Sequence, residues 1–442
     1  MNEKAIEINR ESIEHWRDQK FGMFIHWGLF ALHGEGCWGM WLNQTDKDEY
    51  ARLADKFTAE NFDADSWSNL AKEAGMKYMV LTAKHHDGFS LWDSKACLDN
   101  HTSINSAAKR DIVKEYTDSC RKAGLMTGLY YSPLDWRFPG FFMPKLHKKS
   151  ADALVEQAHK QTEELVTNYG KIDLLWFDGG ENYWVGHGID IVNAERPQDF
   201  KTNPRNPNFW RASEIDAMIR EKQKGIICND RLGDKEFGDY FCPEKKIGSF
   251  NIDHAWETCD TIAGDWGYTP DCKTRSLRSC IQLLVNVVVA GGNLLLNVGP
   301  RPDGTIEPEQ AQRLREMGAW LSKYGESIYK TRGGPIKCED WGGTTNRENK
   351  MYVHVCEWTE NEIAVPDKGN PDIVCLTGAE PIVRRENGKI YLSVSGEDKQ
   401  AMDTIFELTY KDKVSDIFPE VIDYKTLSGK TDVFGESVNL GI

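Results

Sequence analysis

Residues 64–89 read ADSWSNLAKEAGMKYMVLTAKHHDGF and contain the unit from which the fold is built. In the first half, apolar residues recur at the spacing of one helical face, at Trp67, Leu70, Ala71 and Ala74. Gly75 then supplies the residue type that tolerates the left-handed conformation in which helices commonly end. The apolar run at residues 78–83 that follows has the length and composition of a buried strand. A helix followed directly by a strand predicts one repeat of an α/β protein.

The same alternation continues through the first three quarters of the chain. Further strand-like runs occur at residues 21–28, 126–132, 172–178, 225–229, 249–254 and 293–298. Amphipathic helical stretches lie at residues 111–123, 152–169, 213–224 and 308–324. A doubly wound sheet is the alternative, but His26-Trp27-Gly28 ends the first run where that fold has a GxGxxG turn. We therefore predict an α/β fold, a distorted (β/α)8 TIM-like barrel.

The sequence changes character after Gly325. Helical periodicity stops, and short strand-like runs follow at residues 351–358, 362–365, 390–394 and 404–408. The dipeptide Asn387-Gly388 is a strong hairpin-turn signal. We predict a barrel domain over residues 1–335 and a small antiparallel β-sandwich over residues 336–442. Within the barrel, the Pro/Asn-rich residues 196–208 are predicted to form an exposed loop.

Composition excludes several classes of partner. The 442 residues contain 54 Lys+Arg and 69 Asp+Glu, which gives a net charge of −15 with no basic cluster. Neither a nucleic acid nor an anionic membrane surface is therefore an expected partner. Residues 1–10 are charged, and no run of about 20 apolar residues occurs. The 11 cysteines are scattered without a CxxC pair, which favours reduced thiols and a cytoplasmic location, with a trimmed secreted or periplasmic form as the alternative. The sequence defines no oligomeric state.

Polar and aromatic residues collect where the predicted strands end, which is where barrel enzymes carry their chemistry. In chain order they are His26, His85, His86, Tyr130, Tyr131, Trp176, Asp178, Arg231 and Glu257. Sugars present apolar C–H faces for stacking and hydroxyl groups for hydrogen bonds, and these residue types supply both contacts. A phosphate site would need a glycine-rich amide cradle or metal-binding carboxylates instead. The pattern therefore favours a sugar site.

Glycoside cleavage requires two carboxyl groups, and two candidates stand out. Asp178 ends an otherwise apolar run, and strand alternation places Trp176 on the same face. Glu257 follows a tryptophan, and an apolar neighbour raises a carboxyl pKa as a proton donor requires. Adjacent residues in extended backbone diverge, so His85 and His86 are not expected to share an ion, and no metal site is predicted.

Several motifs, taken together, identify a family. They are FGMFIHWGLF (21–30), KYMVLTAKHHDGFSLW (77–92), GLYYSPLDW (128–136), LLWFDG (174–179), CNDRLG (228–233), HAWETCDTIAGDWGY (254–268) and GGNLLLNVGPRPDGTI (291–306). With these segments the chain resembles the α-L-fucosidases of glycoside hydrolase family 29. The resemblance covers the barrel and implies a C-terminal β-sandwich, no cofactor, and a fucosylated oligosaccharide or glycoconjugate as substrate. It implies an exo-acting, retaining enzyme that removes terminal α-L-fucosyl residues by double displacement.

The resemblance also implies residue roles. Asp178 matches the family's nucleophile, and Glu257, in the WE-x-C segment, matches a glutamate assigned as the acid/base. Matches to fucose-binding residues fall on His26, His85, His86, Trp176, Arg231 and Tyr131, with Tyr130 as the alternative to Tyr131.

One segment departs from the family pattern. Many members carry a Glu-Trp pair after the HWG strand, whereas this chain has GCWGMW at residues 36–41. Trp38 is the predicted sugar contact, with Trp41 as the alternative match. The departure leaves open whether the preferred substrate is an α-L-fucoside or an α-L-galactoside, whose sugar has one more hydroxyl group than fucose. The alternatives from other classes are a non-catalytic sugar-binding barrel and a metal-dependent barrel hydrolase.

Overall fold

The computed structural model describes residues 3–186, 208–233, 237–247 and 249–428. Residues 196–207 of the predicted loop lie outside these ranges. No helix in the described ranges combines the length and apolar character that crossing a membrane requires. All 11 cysteines fall in the described part of the chain and are free thiols.

The first part of the chain forms a parallel sheet of seven strands in the described residues, in the order β6-β4-β3-β2-β1-β9-β8. The strands in this part of the chain are β1 (Phe21–Ile25), β2 (Tyr78–Lys84), β3 (Met126–Tyr131), β4 (Leu174–Phe177), β5 (Gly180–Glu181), β6 (Ile227–Cys228), β7 (Leu232–Gly233), β8 (Glu257–Thr261) and β9 (Asn293–Val298). Of these, the short strands β5 and β7 pair with each other outside this sheet. Nearly every residue of the sheet is buried, as expected where one face lines a barrel interior and the other lies under helices. The sheet fits a distorted barrel.

An irregular segment, residues 239–244, fills the gap between the edge strands β6 and β8. Single parallel bridges join Asn229 to Tyr240, Phe241 to Trp256, and Glu244 to Cys259. The strand predicted at residues 249–254 is wrong, because strand pairing begins only at Glu257. The cause is that Asn251 carries a turn here, with its Oδ1 accepting the Asp253 and His254 amides.

The helices are α1 (Glu3–Gln19), α2 (Leu29–His33), α3 (Gly39–Leu42), α4 (Lys47–Ala51), α5 (Ala64–Glu73), α6 (Ile112–Ala123), α7 (Pro139–Phe142), α8 (Lys148–Asn168), α9 (Ala212–Lys222), α10 (Leu277–Val289), α11 (Pro308–Tyr324), α12 (Val414–Ile417) and α13 (Tyr424–Ser428). Helices α1 to α11 accompany the parallel sheet, and α12 and α13 follow the last antiparallel strand. Short 3-10 turns lie at Arg52–Lys56, Leu98–Asn100, Asn182–Trp184, Gly325–Ser327 and Gly396–Asp398. The five helices predicted from periodicity are confirmed to within four residues at each end. α10 was not predicted, because its apolar residues are too many to show one helical face, although Gln282 and Asn286 interrupt the run.

The C-terminal part is antiparallel, as predicted. One sheet has the order β10-β11-β12-β17-β14 and the other β13-β16-β15. The strands are β10 (Arg332–Gly333), β11 (Gly342–Arg347), β12 (Lys350–Val355), β13 (Ile363–Pro366), β14 (Asp372–Cys375), β15 (Ile382–Glu386), β16 (Lys389–Ser393) and β17 (Thr404–Thr409). The predicted hairpin at Asn387-Gly388 is confirmed: both residues have positive φ, and Glu386 pairs with Lys389 across the turn.

The N-terminal helix closes the barrel at the ends where the strands begin. Trp16 of α1 is fully buried and its ring lies 4.4 Å from that of Tyr240. Its carbonyl accepts the side-chain amide of Asn293, the first residue of β9. Because this end is sealed, the opposite end of the strands is left to carry the site.

Candidate active site

A cavity of about 720 Å³ opens at the carboxyl ends of the strands. Its lining includes eight of the residues named from the sequence, namely His26, Trp38, His85, His86, Tyr130, Trp176, Asp178 and Arg231. Each lies at the end of a strand or shortly after one, except Trp38, which precedes α3. The volume exceeds that of a single pyranose, and such cavities of about 300–1,000 Å³ commonly hold small ligands.

Asp178 follows β4 and is held by three neighbours. Tyr130 donates its hydroxyl to Oδ2 at 2.9 Å, and the Arg231 Nη1 donates to Oδ1 at 2.8 Å. The Nε2 of His86 lies 3.5 Å from Oδ2. The Asp178 side chain is 22% exposed, so it remains open to the cavity. Donors on both oxygens fix its orientation.

Trp176 lies two residues before Asp178 and also lines the cavity. The Arg231 guanidinium packs over its ring at 4.7 Å, and the Tyr130 ring stacks against it with centroids 5.5 Å apart. Trp176 and Tyr130 form an aromatic surface near the carboxylate, of the kind on which a sugar ring stacks.

The three histidines of the cavity are held neutral. Burial lowers the pKa of His26 to about 4, and burial lowers the pKa values of His85 and His86 well below the ordinary value. His26 Nδ1 hydrogen-bonds Asn297 Oδ1 and His86 Nδ1 hydrogen-bonds Ser132 Oγ, each at 2.7 Å. A neutral imidazole offers one donor and one acceptor nitrogen, which suits recognition of hydroxyl groups.

His85, His86 and Asp178 each offer a ligand atom, and these atoms lie within 4.8 Å of one another. The expectation that the two histidines diverge is therefore wrong, because β2 ends at Lys84 and the chain turns at His86. The three groups have the composition of a two-histidine, one-carboxylate site, so the predicted absence of a metal stays a prediction.

The prediction that Tyr131 contacts the sugar needs correction. Tyr131 points away from the cavity and donates its hydroxyl to Gln161 of α8 at 3.0 Å. Successive residues of a strand face opposite sides, so only one of the two tyrosines reaches the cavity. Tyr130 is the one that does.

The prediction that Glu257 lies at the carboxyl end of a strand also needs correction. Glu257 is the first residue of β8 and pairs with Asn293, the first residue of β9, so it lies at the closed end of the barrel. It is fully buried, accepts hydrogen bonds from Tyr78 at 2.5 Å and Trp176 at 3.2 Å, and does not line the cavity. Burial raises its pKa to about 8.

Three further carboxyl groups of the cavity lining, those of Glu181, Asp230 and Glu244, were not predicted from the sequence. Glu244 ends the irregular segment between β6 and β8, where an apolar run of only three residues before a proline gives little strand signal. Its Oε2 lies 3.3 Å from both terminal nitrogens of Arg231, and its Oε1 accepts the Trp266 indole N–H at 3.1 Å. Glu181, in β5, is 9% exposed, and burial raises its pKa to about 7.

The departure from the family pattern at residues 36–41 has a structural outcome. Trp38 lines the cavity and its ring lies 5.3 Å from that of His86. Glu35 turns outward, with its side chain 59% exposed, and accepts the Asn43 side-chain amide. The glutamate nearest to the missing pair is therefore absent from the cavity lining within the described residues.

Carboxyl groups, stacking surfaces and neutral histidines around a sugar-sized cavity on a barrel define a glycoside hydrolase. The family model for α-L-fucosidase matches residues 2–326. Human plasma α-L-fucosidase is 32% identical over 389 residues, which cover 79% of this chain and 78% of that protein. Rat tissue α-L-fucosidase is 30% identical over 390 residues, covering 80% of this chain and 79% of that protein.

Solved structures agree with the sequence relatives. α-L-Fucosidase isoenzyme 1 from Paenibacillus thiaminolyticus superposes with a TM-score of 0.79 at 30% identity, covering 92% of this chain and 100% of that one. A trapped covalent intermediate of a family 29 α-L-fucosidase from Bacteroides thetaiotaomicron has a TM-score of 0.77 at 26% identity, covering 90% and 96%. The chain belongs to the α-L-fucosidase family of glycoside hydrolases, whose substrates are fucosylated glycans.

Proposed function

We propose that this protein is a retaining α-L-fucosidase in which Asp178 is the nucleophile and Glu244 the acid/base. The observation that carries the proposal is that Asp178 Oδ1 and Glu244 Oε2 contact the same Nη1 of Arg231, at 2.8 and 3.3 Å. The two oxygens are therefore no more than about 6 Å apart, which fits the roughly 5–5.5 Å between carboxyl groups of retaining enzymes better than the 6.5–9.5 Å of inverting ones. Glu257 does not fit the role, because Trp176 lies between it and the cavity.

The reaction proceeds in two displacements. An Asp178 oxygen attacks the anomeric carbon while the glycosidic C–O bond breaks and Glu244 protonates the departing oxygen. Glu244, now a carboxylate, takes a proton from water, which attacks the same carbon and releases fucose from Asp178. Each displacement inverts the anomeric carbon, so the product retains its configuration. The Tyr130 hydroxyl and Arg231 stabilise the Asp178 carboxylate before attack and after release.

A series of isosteric variants tests the assignment. Asp178→Asn should remove nearly all turnover of an aryl α-L-fucoside, and proton NMR should show the α-anomer as the first product of the wild type. Glu244→Gln should slow release of the covalent intermediate, and added azide, which needs no general base, should restore turnover by forming fucosyl azide. An inverted first product would overturn the retaining mechanism.

Matched glutamate variants separate the candidates for the acid/base. Glu181→Gln and Glu257→Gln each remove one of the other candidate acid/base carboxyl groups. Azide should restore the turnover of neither variant. Rescue confined to Glu181→Gln or Glu257→Gln would move the role to that residue. An aryl α-L-galactoside measured in parallel tests sugar selectivity, and binding without turnover in a calorimeter would favour the non-catalytic barrel.

The finer features of the fold belong to the same proposal. We infer that residues 240–244 are the eighth strand of the (β/α)8 barrel, supported by the parallel bridges on both sides of the segment. The division into residues 1–335 and 336–442 stays a prediction; β10, the first strand of the antiparallel part, begins at Arg332. The cytoplasmic location also stays a prediction, which fractionation of the producing cells would test.

A further inference from the structure

A second cavity, of about 340 Å³, lies next to the substrate cavity. Its apolar wall is made by Trp41 of α3, by Trp136, and by Phe142 of α7. Gln44, Thr45 and Lys47 add an amide, a hydroxyl and an ammonium group to its rim. Neither the nucleophile nor the proposed acid/base lines this cavity, which we call the aromatic groove.

An unbroken series of aromatic contacts joins the groove to the substrate cavity. The Trp38 ring, which lines the substrate cavity, lies 5.2 Å from that of Trp136. Trp136 lies 5.5 Å from Trp41, and Trp41 stacks on Phe142 at 5.1 Å. Trp136 also contacts the His86 ring at 5.4 Å, and His86 touches Asp178. Trp136 of the groove is therefore in direct ring contact with His86, the immediate neighbour of the nucleophile.

The chemistry of the groove matches a sugar ring. Tryptophan and phenylalanine faces stack on the C–H faces of a pyranose, and the amide, hydroxyl and ammonium groups suit its hydroxyls. Trp41 and Phe142 are only partly buried, and the side chain of the next residue, Leu42, is 55% exposed. An exo-acting fucosidase encloses one end of a glycan, so the remaining sugars must leave its cavity across the mouth, where aromatic surface is available.

We propose that the aromatic groove is a subsite for the aglycone, binding a sugar ring of the glycan from which fucose is removed. This inference rests on the proposed function. The groove contributes affinity for oligosaccharides and none for aryl fucosides, whose single small ring ends within the substrate cavity. It therefore selects among substrates without taking part in bond cleavage.

The test compares one enzyme on two kinds of substrate. Phe142→Ala is assayed with para-nitrophenyl α-L-fucoside and with the faster cleaved of two fucosyllactose isomers, which carry fucose on galactose or on glucose. We expect kcat/KM for fucosyllactose to fall about tenfold, as for truncation of an aromatic binding residue, with the aryl fucoside unchanged within about twofold. Leu146→Ala is the control, because Leu146 is 72% exposed and outside the groove lining.

Each other outcome has a defined meaning. An equal loss on both substrates, or no loss on fucosyllactose, overturns the subsite. Unchanged kinetics with a change in sedimentation mass would show that the groove joins two copies of the chain instead. Gln44→Ala, at the rim, repeats the measurement without removing an aromatic side chain, so that failure of one variant to fold does not decide the result. Absence of wild-type activity on the aryl fucoside would count against the proposed function and is read separately.

Discussion

At the scale of single residues, strand alternation decides which of two identical side chains reaches the substrate. Tyr130 and Tyr131 are adjacent and both fully buried. Tyr130 donates to the nucleophile, whereas Tyr131 donates to Gln161 beneath a helix. Removing the same hydroxyl group at each position therefore distinguishes an effect on catalysis from an effect on stability.

Tyr130→Phe should lower kcat/KM on an aryl fucoside by about 10–100-fold, because a hydrogen bond to a charged group contributes about 1.5–3 kcal/mol. Tyr131→Phe removes the same hydroxyl on the other face and should leave kcat/KM unchanged while lowering the free energy of unfolding by about 1 kcal/mol. Steady-state kinetics and denaturant melts of both variants make the comparison. Equal kinetic losses would contradict the assignment of the two faces.

The carboxyl group of Glu257 makes stability depend on pH. Burial raises its pKa from 4.5 to about 8, so between these values the folded protein holds a proton that the unfolded chain has released. Stability linked to this group is fully present below 4.5 and falls as pH rises towards 8.

Glu257→Gln should therefore remove most of the fall in the free energy of unfolding across this pH window. At the alkaline end the difference in this fall between wild type and variant should be about 2–5 kcal/mol, since each pKa unit is worth about 1.4 kcal/mol. Thermal melts at closely spaced pH values measure the slope. An unchanged slope in Glu257→Gln would show that other groups set the pH dependence.

At the scale of elements, the irregular segment between β6 and β8 carries Glu244 to the cavity. Asp239 anchors its start: Oδ2 accepts the Cys228 amide of β6 and the Arg220 guanidinium of α9, each at 2.8 Å. Asn9 of α1 donates its side-chain amide to the other oxygen. One partly buried carboxylate thus ties a strand and two helices to the segment.

Asp239→Asn should lower the free energy of unfolding by about 1–3 kcal/mol, because it removes one of the two carboxylates that face the partly buried Arg220, the other being Asp216. It should also lower kcat, since the segment positions Glu244. Asp152→Asn is the control at an exposed ion pair with Lys148 and should cost less than about 1 kcal/mol. Calorimetry and kinetics of the two variants test both statements, and equal losses of stability would refute the anchoring role.

At the scale of the whole molecule, the β-domain and the barrel share one apolar core. Alternate residues of β12 face opposite ways: Met351 and Val353 belong to the core between the two antiparallel sheets, whereas Tyr352 belongs to the barrel core together with Ile405 of β17. Gln282 of α10 adds a hydrogen bond to the Cys356 carbonyl at 2.9 Å. The two parts are therefore expected to unfold together.

Calorimetry should show a single unfolding transition for the intact chain. Ile405→Ala removes a fully buried side chain from the shared core and should lower stability by about 2–5 kcal/mol, broadening or splitting the transition. Val374→Ala on β14, where the side chain is 50% exposed, is the control and should change stability by about 0.5 kcal/mol or less. Two separate transitions in the wild type would contradict a shared core.

The sequence by itself determined the features that depend on local periodicity and on contiguous motifs. Helical spacing located α5, α6, α8, α9 and α11, the Asn-Gly pair located a hairpin, and the apolar run before Asp178 located the strand that carries it. These signals are local because hydrogen bonding and face alternation within one element repeat over a few residues. The family was evident for the same reason, since its motifs are contiguous segments.

Only the tertiary structure decided which carboxyl groups share a cavity with Asp178. Glu257 has the stronger local context, but its strand begins where a strand was expected to end, so it lies at the closed end of the barrel. Glu244 reaches the cavity because a segment with almost no strand signal is held between β6 and β8 by residues far away in the chain. Pairing between distant segments sets strand register and therefore which end of a strand a side chain occupies, and composition near one residue does not encode it.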